Sequence, residues 1–135
     1  MSLSRIPAEL RLRVRERATG RCEYCLLHER HSDFSFHVDH VIAEKHGGPT
    51  EEHNLCLACP ECNRAKGSDI STMINGRYAR LFNPRIEDWA DHFVLNGAVI
   101  MARSRIAAGT IRLLDLNNAT RVATRASLLL EGRYP

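Results

Sequence analysis

Two Cys-x-x-Cys pairs, Cys22/Cys25 and Cys59/Cys62, sit in a chain of 135 residues and limit what it can fold into more than any other feature. A Cys-x-x-Cys turn places two sulfurs on one side of a metal ion, and two such turns complete the tetrahedral shell that Zn²⁺ prefers. The same ion would draw the segment Phe36-His37-Val38-Asp39-His40-Val41-Ile42 and the run Asn63-Arg64-Ala65-Lys66-Gly67 into one small unit. A closed shell of four thiolates leaves no position for water, so this zinc is expected to hold structure and to perform no chemistry. Cys56 could compete as a ligand, but between Leu55 and Leu57 it reads better as a small buried apolar residue. Five cysteines, an odd number, are awkward for a disulfide framework and suit four ligands plus a spare thiol in a reducing compartment.

The elements around the knuckles follow from periodicity. Pro7 to Ala18 reads as a helix, with Leu10, Val14 and Ala18 in one narrow stripe and Gly20 just past the end. Arg11, Arg15 and Arg17 lie off that stripe and are open to either solvent or a phosphate backbone. Phe34, Phe36 and Val38 alternate with polar residues as in a strand. Lys45-His46-Gly47-Gly48-Pro49 is turn chemistry, Asn54 to Ala58 reads as a second strand, and a helix is expected from about Cys62 or Asn63, interrupted near Gly67. Gly76 to Pro84 looks irregular and marks a boundary. Beyond it come short strands in Trp89 to Leu95 and Ala98 to Met101 around an Asn96-Gly97 turn, then helices over Thr110 to Leu116 and Ala119 to Leu130. The expected class is therefore α+β: a zinc-bound core with its N-terminal helix at residues 1–75, and a C-terminal α/β extension at 76–135 packing on it.

Charge adds a partner. The formal balance is only +3, but 17 of the 19 basic residues are arginine, whose planar fork matches phosphate geometry. No stretch approaches the roughly 18 apolar residues needed to cross a bilayer, and the arginine-rich start is unlike a secretory signal. An intracellular, cytoplasmic protein without a membrane partner is expected.

From Arg21 to Gly67 the sequence resembles the HNH nuclease family in its zinc-knuckle form. The resemblance is carried by Cys22-x-x-Cys25, Val38-Asp39-His40-Val41, Gly47-Gly48, Asn54-Leu55 and Cys59-x-x-Cys62-Asn63-x-x-Lys66-Gly67. One departure is Ala43, where many members carry a proline. The resemblance implies a treble-clef-like ββα-metal core and a metal-dependent endonuclease hydrolysing DNA. In that reading His40 is the general base, Asp39 and Asn63 hold one Mg²⁺, Mn²⁺ or other divalent cation, and Asn54 pins the loop. Lys66, three residues after Asn63, would reach the scissile phosphate. His37 shares the face of Asp39 and is a candidate extra ligand; Lys45 and His46 are candidate phosphate contacts. His28, His31, His53 and His92 are read as surface or structural residues.

Two other classes compete: a zinc-stabilised nucleic-acid-binding module without hydrolysis, and a protein-interaction domain of the treble-clef type. A pure binding module has no use for Asp39, His40 and Asn63 together, and an interaction domain does not need the arginine excess. A base, a metal and a phosphate clamp do not read the sugar, so RNA stays open beside DNA. Oligomeric state is not legible.

Overall fold

The computed structural model describes residues 5–135; the first four residues of the expected 1–75 core lie outside the described residues. Helix α1 (Ala8–Ala18) starts one residue later than expected, because Pro7 takes the N-cap position. Only Val14 of its stripe is fully buried, so apolar contact alone holds the helix weakly. Side-chain ties supply the rest. Arg15 Nη1 donates to both Glu29 carboxylate oxygens at 2.8 and 2.7 Å, and its Nη2 donates to the Phe36 carbonyl at 2.8 Å. Arg17 donates to the Leu55 carbonyl at 2.7 Å and pairs with Glu52. Two of the three arginines left open between solvent and phosphate are thus committed to the protein itself.

Strands β1 (His37–His40) and β2 (Leu55–Ala58) pair antiparallel, with His37 opposite Ala58, Asp39 opposite Cys56 and His40 opposite Leu55. All of β2 is buried, sandwiched between α1 and the rest of the core. The strand expected from Phe34 begins only at His37, with Phe34 exposed and Phe36 buried ahead of it. Asn54 belongs to a 3₁₀ turn, Glu52–Asn54, ahead of β2. Helix α2 (Pro60–Lys66) starts earlier than expected because Cys59 is its N-cap: the Cys59 sulfur accepts the Cys62 N–H at 3.4 Å, and Pro60 occupies the first turn. It ends at Gly67, whose φ of +52° suits glycine.

The stretch read as irregular holds part of a hairpin, β3 (Ser71–Ile74) with β4 (Arg77–Arg80). Asn75 and Gly76 both have positive φ, 51° and 76°, the signature of an Asn-Gly turn that matches strand twist. The division expected at 75/76 falls inside this turn. Trp89–His92 is one turn of helix, α3, and not strand; β5 (Phe93–Asn96) and β6 (Val99–Ala102) then pair around Gly97 and Ala98, one residue later than expected. Helix α4 (Arg105–Leu113) begins five residues before its expected start. Ser104 caps it, and Gly109 is a contact, since a Cβ there would lie 2.9 Å from Ala79 Cβ. Helix α5 (Ala119–Leu130) has the expected bounds, with Asn118 as its cap.

One apolar cluster joins Val14, Tyr24, Leu55 and Leu57 to Phe82, Phe93, Ile100, Leu114 and Leu116. Each such side chain contributes about 1.5–3 kcal/mol on burial. Trp89 stacks on Phe93 at 4.9 Å and donates its indole N–H to the Tyr24 carbonyl at 2.9 Å, joining extension to knuckle. The result is a small mixed α/β domain with, among the described residues, five α-helices and antiparallel two-stranded sheets. No helix among them is long and apolar enough to cross a membrane.

Candidate metal centre and active site

The first knuckle is a loop between α1 and the 3₁₀ turn Glu29–His31, and the second is the start of α2. They bring Cys22, Cys25, Cys59 and Cys62 together with all four sulfurs buried and within 4.8 Å of one another. The Cys25 and Cys59 sulfurs are 3.7 Å apart. A tetrahedron with Zn–S bonds of about 2.3 Å has an edge of about 3.8 Å, so the donor set fits zinc in both chemistry and size. Cys56 stays outside the group, beside the Tyr24 hydroxyl, and burial pushes its thiol up to about 12.

A residue that sequence reasoning missed completes this centre. Arg121, buried on α5, donates Nη2 to Cys62 Sγ at 2.8 Å and holds it 3.8 Å from Cys59 Sγ. Its Nη1 is fixed by the carbonyls of Leu114 and Asp115. A shell of four thiolates around Zn²⁺ carries two net negative charges, and a buried guanidinium offsets part of that. The only signal for it in the sequence is the Arg121/Arg125 repeat on a helix otherwise rich in small and apolar residues. Tyr134 adds a further tie, donating its hydroxyl to the Cys25 carbonyl at 2.6 Å.

Strand β1 presents Asp39 and His40 at successive positions, which alternation would aim to opposite faces. The strand ends at His40 and the chain bends at Val41 and Ile42, leaving Asp39 Oδ1 and His40 Nδ1 3.9 Å apart. His40 is 2 % exposed. Its Nε2 lies 2.9 Å from Thr50 Oγ1, and its Nδ1 is buried with no hydrogen-bond partner. Such an orphan calls for a reason, since a buried polar atom left unpaired costs about 1–3 kcal/mol.

The loop that brings Thr50 to His40 is tied down by Asn54. Asn54, itself buried, accepts the Ile42 N–H at 3.0 Å and donates to the carbonyls of Ile42 and Pro49, both at 2.9 Å. Gly48 lies so close beneath that a Cβ would fall 1.8 Å from the Ile42 oxygen. Lys66 is 3 % exposed, with Nζ 3.4 Å from the His40 carbonyl. Burial pulls its pKa down, against the opposing pull of Cys56, Asp39 and Asp69. It sits beneath the strand and does not face solvent, so a direct phosphate contact is not open to it here. Asn63 is half-buried on α2, which packs on β1, and its side chain makes no hydrogen bond among the described residues. His37 is exposed at the strand's start and does not converge with Asp39 and His40 into a ligand group. His46 Nε2 lies 3.0 Å from the Ser68 carbonyl, while Lys45 is exposed. Thr50, like Arg121, was not singled out from sequence.

Residues 22–69, about a third of the chain, match the HNH endonuclease family, bearing out the resemblance read from the knuckles and the motif between them. The match points to nuclease-type chemistry on nucleic acid. No curated protein and no solved structure matches the chain.

Proposed function

We propose that the protein is a metal-dependent endonuclease that hydrolyses DNA phosphodiester bonds, with the β1–β2–α2 unit as a treble-clef-like ββα-metal core in residues 1–75 and residues 76–135 as its buttress. The observation that carries this reading is the orphaned Nδ1 of His40 beside Asp39. With Nε2 carrying the proton and donating it to Thr50 Oγ1, Nδ1 keeps its lone pair, which is the form a general base needs. Nδ1 then takes a proton from the water that attacks phosphorus. Asp39 and Asn63 would hold one divalent cation through their side-chain oxygens, a hard-ligand pair suited to Mg²⁺ or Mn²⁺, and such an ion would supply charge stabilisation at the departing 3′-oxygen. Asn54 keeps the Thr50 loop in place, and Lys66 acts through the strand, offsetting the charge of Asp39 from below. RNA presents the same phosphodiester and is the second substrate to assay.

The near-complete burial of His40 favours one rival, a zinc-stabilised nucleic-acid-binding module without hydrolysis. A single experiment separates them: purified protein with supercoiled plasmid across Mg²⁺, Mn²⁺, Co²⁺ and Ni²⁺, beside His40→Ala. The nuclease reading expects cleavage lowered about 10²-fold or more in the variant, with zinc content unchanged. Full activity in His40→Ala would remove His40 as the base, and no cleavage by the wild type with any cation would leave the binding module.

A further inference from the structure

We propose that the hollow between the first knuckle and the C-terminal tail binds a backbone phosphate of the nucleic acid, a contact site that uses none of the residues assigned above to zinc or catalysis. It rests on the nuclease reading for the identity of the polyanion. The hollow, a cavity of about 450 Å³, is lined by Arg21, His28, Arg30, His31, Gly132, Arg133 and Pro135, with no acidic side chain in its wall.

Two of its three guanidinium charges are free or only loosely paired. Arg30 has no hydrogen-bond or ion-pair partner for its guanidinium among the described residues, and it is exposed. Arg133 pairs only loosely with Glu131, at 3.6 Å in solvent, a pair of little strength. Arg21 donates to Thr19 and to the Pro135 oxygen and so leans into the hollow. Glu29, beside Arg30 in sequence, has both oxygens occupied by Arg15. The crowding registers on His28, which is pushed down first by burial and then by the charges of Arg30, Arg21 and His31.

The walls are also fixed in advance. Arg21 and His28 form a β-bridge, and His28 Nδ1 accepts the Arg30 N–H at 3.0 Å. On the other side, Tyr134 is anchored to Cys25, and the Arg133 N–H is held by the Leu128 carbonyl at 2.8 Å. Guanidinium forks bind phosphate in two-point fashion. The rings in the lining are the imidazoles of His28 and His31, set edge-to-face at 6.2 Å, and the rest of the wall is cationic or small, with no large apolar side chain to hold a nucleobase. The site therefore grips charge and geometry without reading sequence.

The test is binding of a short labelled duplex without added divalent cation, by fluorescence anisotropy over a salt series, for the full zinc-bound chain and for Arg30→Ala/Arg133→Ala. Both positions are exposed, so the fold is not at stake. Losing the one phosphate that the two guanidiniums hold should weaken binding about tenfold and reduce the slope of log K against log salt by about 1. Adenosine monophosphate should not displace the duplex. The proposal is overturned by wild-type affinity and slope in the double variant, by an equal loss in the exposed control pair Arg77→Ala/Arg103→Ala, or by ready displacement with the mononucleotide. Binding is read without chemistry, so a wild type that binds but does not cut counts against the nuclease reading and leaves the hollow to be judged on its own.

Discussion

His40 has one nitrogen on Thr50 and the other unpaired, so in the proposed chemistry Thr50 is a positioning residue with a specific signature. Thr50→Val keeps the shape and removes the acceptor, so the imidazole loses the contact that selects its tautomer. We expect kcat for plasmid cleavage to fall about tenfold with KM little changed, and Thr50→Ser to restore it. Equal kinetics in Val and Ser variants would mean that the hydroxyl only fills space. Asp39, His40, Asn54 and Asn63, the residues of the proposed site, could be named from the sequence because their spacing within a short motif marks them. Thr50 and Arg121 were not, because each matters through a partner brought to it by folding, 10 and 59 residues away. Lys66 was legible as a residue but not in its surroundings: burial under β1 is a property of the helix's docking, which spacing alone does not set.

At the scale of elements, Glu29 ties α1 to the chain entering β1, alongside the burial of Val14. Burial would push the Glu29 carboxyl up, but hydrogen bonds from Arg15 and the Phe36 N–H, with the Arg15 charge, outweigh it and hold the group below the usual carboxylate range. A folded-state value that is depressed gives stability that is present above the usual range and lost as pH falls through the folded value. Glu29→Gln should therefore cost about 1 kcal/mol in denaturant unfolding at pH 7, and the gap to wild type should close below about pH 4. A gap that is constant with pH would assign the loss to shape and not to charge. Helix α5 is tied to the second knuckle through Arg121. Arg121→Met should raise zinc loss to a chromogenic chelator about tenfold or more, with Arg121→Lys intermediate; wild-type retention in Met would show the guanidinium to be a bystander. The elements themselves were unevenly legible. The pattern from Ala119 to Leu130 gave α5 its bounds, whereas Gly109 disguised the first half of α4, and the Asn75-Gly76 turn was passed over because the strands beside it are short and mostly exposed.

At the scale of the molecule, the core cluster, the Trp89 bond to Tyr24 and the Arg121 bond to Cys62 all cross between the two expected parts. Removing the metal should then unfold more than the knuckles. On titration with a strong chelator, emission from Trp89, the single tryptophan, should change in step with loss of helical circular dichroism, in one transition. Two separated transitions would mean that the extension stands by itself. The sequence led to an extension packing on the core beyond an irregular stretch, but it carries no record of which apolar side chains meet across that boundary. The neutral, enclosed thiol of Cys56 has a last consequence. Alkylating reagents and peroxide act on exposed thiolate, so in the intact fold this sulfur is chemically silent, and any mass it acquires marks a molecule that has opened, making it a built-in tally of breathing events.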